Sequence, residues 1–322
     1  MKLNRAIFPV LAFSTFLCLA STLAGADEKM DAQLLRAVNL NDAKEAEAWL
    51  AKGANPNYAP DQKPLLNLAA QGGYTHIVQI LIDAKADLNA RDDNAETAVM
   101  RAAESEKPEA LSLLVKGKAA LDVQNARGET ALIMAATNHN PAMVKSLVEG
   151  GADVALKTAE GNTAVMSAAL TNASESAEII SILAKAKADL NSGNLVHTPL
   201  SYAVSQDLEP LVKALLDGGA DPNLHAESGS YPLALAFLND SPKKIVDQLL
   251  RAKANPNITG SSGQSPLHMA AEKGLLAEAE ALIKSGADIN AKDNSGETAL
   301  LTAKRNEHAD VADLLIKSGA AG

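Results

Sequence analysis

Cysteine is almost missing from this chain: Cys18 is the only one in 322 residues. It lies in an N-terminal run expected to be removed, so no thiol remains for a disulfide, a metal site or a nucleophile, and stability must come from packing. Basic residues are outnumbered, 29 Lys and Arg against 39 Asp and Glu, for a net charge of -10. A protein so acidic avoids nucleic acid and anionic membrane surfaces, and its long-range field favours basic partners. Aromatic residues make up 3%, against 47% apolar and 21% charged, the balance of a soluble globular chain of one or two domains. The longest apolar run, Ala6 to Ala20, is interrupted by Pro9 and Ser14 and falls short of the roughly 20 residues a spanning helix needs.

Several chemical signatures are also missing. No Gly-x-Gly-x-x-Gly, phosphate-binding loop, His-Glu-x-x-His or Gly-x-Ser-x-Gly is present. The six histidines have no zinc-like spacing, so no metal, cofactor or catalytic residue is expected. The acids of Arg91-Asp92-Asp93-Asn94-Ala95-Glu96 lack the alternation and closing glutamate of a calcium loop, and are expected to form a solvated turn. Asn172 and Asn257 head formal glycosylation sequons, relevant only in a eukaryotic source.

What is present begins with a leader. Lys2 and Arg5 precede the apolar run, Ala24-Gly25-Ala26 supplies small residues at minus three and minus one, and Asp27 follows. Residues 1–26 therefore read as a secretory signal peptide, cleaved after Ala26; Leu17, just before Cys18, is too bulky for a lipoprotein site. Losing Lys2 and Arg5 moves the formal charge from -10 to -12. No membrane insertion is expected after cleavage.

The remainder repeats. Pro64, Thr97, Thr130, Thr163, Thr198, Tyr231, Ser265 and Thr298 occupy one position, with spacings of 33, 33, 33, 35, 33, 34 and 33. A second series on the same beat ends at Asn57, Asn89, Asp122, Ala155, Asn191, Asn223, Asn257 and Asn290. Apolar spacing within each unit is helical. In Ser265 to Asp288 a short helix from Pro266 to Glu272 turns at Lys273-Gly274 into a second, with Leu282 and Ile283 facing inward. Such a pair cannot bury both faces alone, but stacked neighbours can.

The segments Ser262-Gly-Gln-Ser-Pro-Leu-His-Met-Ala-Ala-Glu-Lys-Gly274 and Asp293-Asn-Ser-Gly-Glu-Thr-Ala-Leu-Leu-Thr-Ala303 resemble the ankyrin repeat most closely, and the resemblance extends over residues 31–322. It implies an all-α ankyrin-repeat solenoid of about nine helix-turn-helix units with β-hairpin fingers. An N-terminal cap would cover about 31–57, seven internal repeats about 58–290, and a C-terminal unit about 291–322 of a domain spanning 27–322. Threonine hydroxyls would cap first helices, and Gly151 or Gly286 would end second helices in the left-handed conformation. Lys85, Lys118, Lys187 and Lys253 replace that glycine, and must accept the strained backbone or end the helix differently.

A solenoid of this kind binds through fingers and the exposed side of its first helices. Finger positions gather Asp61, Asp93, Glu96, Glu129, Glu160, Glu227 and Glu297 against Lys63 and Arg127, an excess of five acids. Glu96, Glu129 and Glu297 share one edge and are candidate partner contacts. Units five to seven place Leu170, Leu195, Val196 and Leu238 where polar residues prevail elsewhere, with His197, Gln206 and Tyr231 nearby, the composition of an interface core. Trp49 occupies a paired-leucine slot and is expected to pack against the next repeat. The resemblance implies a monomeric protein-binding module and no enzyme. With the leader it suggests a periplasmic binder that inhibits, or protects against, an enzyme such as a cell-wall hydrolase. A secreted effector acting on host proteins is the alternative, and a small-molecule binder or enzyme the third.

Overall fold

The computed structural model describes residues 27–170, 174–194, 196–225, 230–239 and 243–321. The leader 1–26, Leu195, Glu227 and the Asn172 sequon lie outside the described residues.

Alternating short helices account for nearly all regular structure, and two compact units divide between Ala126 and Arg127. The first unit contains α1 (27–39), α2 (Ala43–Ala51), α3 (Leu65–Gly72), α4 (Thr75–Asp83), α5 (Ala98–Glu104) and α6 (Pro108–Lys116). The second begins with α7 (Ala131–Thr137), α8 (Pro141–Glu149), α9 (Ala164–Ala169), α10 (Ser176–Lys185), α11 (Pro199–Ser205) and α12 (Glu209–Asp217). It ends with α13 (Pro232–Leu238), α14 (Lys243–Arg251), α15 (Pro266–Lys273), α16 (Leu276–Lys284), α17 (Ala299–Arg305) and α18 (Ala309–Lys317).

Two layers result within the second unit. The odd-numbered first helices pack on one another from α7 to α17, and the even-numbered second helices from α8 to α18. The first unit repeats this with α3 on α5, and with α2, α4 and α6 in series. Small paired residues let first helices approach: Ala69-Ala70, Ala102-Ala103, Ala135-Ala136, Ala168-Ala169 and Ala270-Ala271 are all fully buried. Second helices bury an i, i+1, i+4 triplet such as Met143, Val144 and Leu147, or Leu211, Val212 and Leu215. Each such side chain contributes about 1.5–3 kcal/mol when fully buried. In α16 the triplet shrinks to Ala279 and Leu282, because Glu278 stands where α8 has Met143, and Ile283 is only half-buried, unlike the inward placement expected for it. Lys304 stands exposed at the α17 position that holds a buried apolar residue, such as Ala136 or Ala271, in the preceding repeats.

Helix starts follow the expected capping chemistry at four of the five threonines, Thr97 making no such bond. The hydroxyls of Thr130, Thr163, Thr198 and Thr298 accept from the backbone amides of Ile133, Met166, Ser201 and Leu301. At second-helix ends Lys85, Lys118, Lys187 and Lys253 take φ of 63, 68, 63 and 68°, joining Gly53, Gly151, Gly219, Gly286 and Gly319 at 90 to 101°. The lysines thus accept the left-handed backbone, at about 1–2 kcal/mol each.

The fingers depart from the hairpin expected. Among the described residues no strand forms, and only Lys292 and Thr298 make an antiparallel bridge. The turns are too short for a ladder: Asp92 N–H to Glu96 O, Thr158 N–H to Asn162 O and Asp293 N–H to Glu297 O close each after four residues. In the first unit, Pro60–Gln62 is instead a 3-10 turn. Fingers touch one another tightly. A Cβ on Gly263 would lie 2.4 Å from Asn294 Oδ1, and Asn294 donates its backbone and side-chain N–H groups to Ser262 O and Ser261 O.

A hydrogen-bond ladder runs along the loops that leave the second helices. In the first unit Asn57 Oδ1 accepts from Asp87 N–H (2.6 Å) and Asn89 Oδ1 from Ala120 N–H (2.8 Å). In the second, Asn191, Asn223, Asn257 and Asn290 accept from the amides of Asp221, Asn255, Asp288 and Ala321. Ala155 occupies this slot without an acceptor, although its loop closes in the same way: Ala155 N–H to Asp153 Oδ1 is 2.8 Å, and Asn191 N–H to Asp189 Oδ1 is 2.9 Å. Ala155→Asn is expected to add the missing rung and about 0.5–1.5 kcal/mol of stability. Urea denaturation followed by circular dichroism measures it, and an unchanged or lowered midpoint would refute the register.

Candidate protein-binding face

The first helices of the second unit are tied at their C-terminal ends by side chains reaching back one repeat. Tyr202 Oη donates to Leu170 O (2.7 Å), Asn239 Nδ2 to Ser205 O (3.2 Å), and Lys273 Nζ to Phe237 O (2.7 Å). These bonds satisfy carbonyls that a helix end leaves free, and they hold α9, α11, α13 and α15 side by side.

Several of the expected apolar contacts are exposed in this unit. Val196, in the finger before α11, is 56% exposed and Leu238, the last residue of α13, 58%. Leu170 is half-buried at the end of α9, and Gln206 is exposed at the end of α11. His197 stands edge-on to the Tyr202 ring, 5.7 Å between centroids, while Tyr231 makes a similar pair with His225 at 5.3 Å. Tyr202 and Leu235 are half-buried and Leu224 is 36% exposed. The sequence reading missed Tyr202 and Leu235, but the repeat register could have found them. Both stand four residues after the capping position, where α7 has Met134.

The acidic edge is altered more deeply. Glu96 is 3% exposed and cannot be a surface contact. Its finger is the solvated turn expected only at Arg91, Asp93 and Asn94, because Arg101 reaches in and draws Asp92 and Glu96 under cover. Arg101 Nε lies 2.6 Å from Asp92 Oδ2, and its NH1 lies 3.0 Å from Glu96 Oε2 and 2.9 Å from Glu104. Asn125 Nδ2 donates to Glu96 Oε1 (3.1 Å), and Asn67 Nδ2 to Glu96 O (2.8 Å), so one residue joins three repeats of the first unit. Burial pushes the Glu96 carboxyl above its ordinary value, against the opposing pull of Asn125 and Arg101. Burial also opposes ionisation of Asp92, but hydrogen bonds from Arg101 and the Glu96 amide outweigh it and hold Asp92 low.

Glu96 therefore binds its proton more tightly folded than unfolded. Its contribution to stability is full below about pH 4.5, the unfolded value, and is lost as pH rises through the raised folded value. Glu96→Gln keeps the acceptor for Asn125 and removes the buried charge. Its midpoint in urea is expected to match or exceed the wild type at pH 7, with the difference shrinking toward pH 4.5. A large loss at pH 7 would show that the Glu96–Arg101 attraction outweighs burial.

The other two acids are paired. Glu129 lies 2.6 Å from Arg127 and Glu297 2.9 Å from Arg305, which leaves each about one-fifth exposed. Asp61, Asp93 and Glu160 remain exposed, so the negative edge is weaker than the sequence count.

Ser265 and His268 look like a nucleophile and base, with Oγ and Nδ1 2.8 Å apart, but both are buried and form a helix cap. Ser265 N–H donates to Nδ1 and Nε2 faces Glu297 O at 3.0 Å, which requires the proton on Nε2. His308 stands just before α18 without capping it, and its Nε2 reaches Glu272 O. Asn257 is committed to the ladder through both side-chain atoms, Nδ2 reaching Gly286 O, leaving its sequon nitrogen engaged. Trp49 is half-buried, with Lys52 Nζ 3.9 Å above its ring and Glu45 accepting its N–H. Among the described residues no group of His, Cys, Asp and Glu could hold a metal ion, and no helix is long and apolar enough to cross a membrane.

The family model described as ankyrin repeats (3 copies) matches residues 34–125, 99–194, 132–226 and 233–321. The chain is an ankyrin-repeat protein. Helix pairs, tight fingers and a ladder on one period are how an ankyrin repeat turns a 33-residue unit into a stackable layer, and protein binding is the role this family indicates. No curated protein matches the chain.

Proposed function

We propose that this ankyrin-repeat protein is exported and holds another exported protein against the first-helix face of residues 127–322, inhibiting it or protecting the cell from it. The observation that carries the reading is that Val196 and Leu238 are both more than half exposed on one unit, whose first helices are locked side by side. Exposed aliphatic side chains beside Tyr–His pairs have the composition of an interface centre. The leader at 1–26 supports export, to the periplasm in the first instance, and a formal charge of -12 after its removal favours a partner with a basic surface. Within that compartment a cell-wall hydrolase is a fitting target, because a rigid binding face can cover the rim of an active site without chemistry of its own.

The test is affinity capture from the periplasmic fraction, with mass spectrometry of what is held and an activity assay of the captured enzyme with and without the chain. The expected result is a basic exported protein whose turnover falls on binding. Recovery of the chain only from the culture medium, with no periplasmic partner, would instead favour an effector acting on host proteins.

A further inference from the structure

Charge is unevenly distributed along the repeats. Residues 190–206, 228–239 and 254–271 contain no Asp, Glu, Lys or Arg, in a chain where such residues make up 21%. The corresponding blocks of other repeats each carry charge, for example Asp61, Arg91, Arg127, Lys157 and Lys292. The three uncharged blocks hold α11 and α13 whole and α15 as far as Ala271, consecutive in one layer and bonded edge to edge through Asn239 and through Lys273, which with Glu272 forms the charged end of α15. They include the exposed Val196 and Leu238 together with Tyr202, Tyr231 and Leu235.

An interface centre differs from its rim by depletion of charge and enrichment in aromatics. A partner's lysine or arginine placed here would lose water and gain no counter-charge, whereas an aliphatic or aromatic side chain loses nothing. We infer that the α11–α13–α15 face takes an uncharged loop of the partner bearing aliphatic and aromatic side chains, and that the chain's acidity only steers approach. This rests on the protein-binding reading above and gives the chemistry of what is bound. It separates two roles that net charge alone would merge, since charge sets arrival rate and salt dependence while the desolvated centre sets how long the partner stays.

A display library of random dodecapeptides, selected on the immobilised chain, tests it without knowledge of the partner. The selected peptides should be rich in Leu, Ile, Phe, Tyr and Trp without enrichment in Lys or Arg. Their binding should change less than about twofold between low salt and about 0.5 M NaCl, beyond the screening range of exposed charges. It should fall at least about tenfold in a chain carrying Val196→Asp and Leu238→Asp, and stay within about twofold in Asp93→Lys. Lys- and Arg-rich peptides released by salt would overturn the inference, as would peptides indifferent to the double substitution. Either outcome leaves the capture experiment able to succeed, so failure of the inference is distinguishable from failure of the binding function.

Discussion

Replacing Arg101 by methionine is expected to cost the fold about 3 kcal/mol, several times the cost of removing a surface ion pair. Arg101 has its side chain 14% exposed, and the carboxylates it serves, Asp92 and Glu96, are 3% and 5% exposed. Methionine keeps much of the volume, so the loss measures charge left without a partner rather than a cavity. The sign with pH follows. Without Arg101 both acids can enter the folded state only by taking up protons, so the deficit should be greatest at pH 7 and shrink as pH falls toward 4. Adding Asp92→Asn and Glu96→Gln to Arg101→Met should recover most of the loss. Urea midpoints at pH 7 and pH 4 decide the matter, and a deficit unchanged by acid would mean that packing, not charge, is what Arg101 supplies.

The second large effect concerns binding. Val196→Asp with Leu238→Asp should abolish capture of the partner, with at least about a hundredfold loss of affinity, because two desolvated carboxylates would face an apolar surface. Helical content and thermal midpoint should stay at the wild-type values, since both side chains are more than half exposed. Retained capture would place the contact elsewhere, and a lowered midpoint would show that these residues hold the fold. The grooves between second helices are the natural alternative. One of about 450 Å³ lies between α10 and α12, but charges of both signs, Lys185, Lys213 and Asp217, rim it.

The architecture was legible because its causes are periodic. A threonine before five of eight first helices, small residues within them and an Asn in most of the loops recur on a beat of about 33 residues, and most of them do locally what the spacing implies. Lys253 and its counterparts were recognised as a backbone problem, and φ near 65° shows that the loop overrides residue preference. The candidate face was half legible. Leu238 interrupts a polar register and is exposed as expected, while Tyr202 occupies a slot that is buried at Met134, Ser167, Met269 and Thr302 and only half-buried at Arg101 and Leu235, so the slot alone does not mark it as surface. Glu96 was misread for a physical reason. The position one residue before the cap is half-buried in most repeats, Glu129 and Glu297 among them, and at Glu96 the long side chain of Arg101, five residues on, folds back with Asn125 to close the cover. Pairing of Glu129 with Arg127 and of Glu297 with Arg305 likewise depends on side-chain reach, which a repeat period does not encode.

Hydrogen exchange of the chain alone and in complex with its captured partner tests the central claim most directly. The account predicts new protection in residues 196–206 and 230–239, with α10, α12 and α14 unchanged. Protection confined to those second helices, with the fingers and first helices exchanging as before, would contradict it.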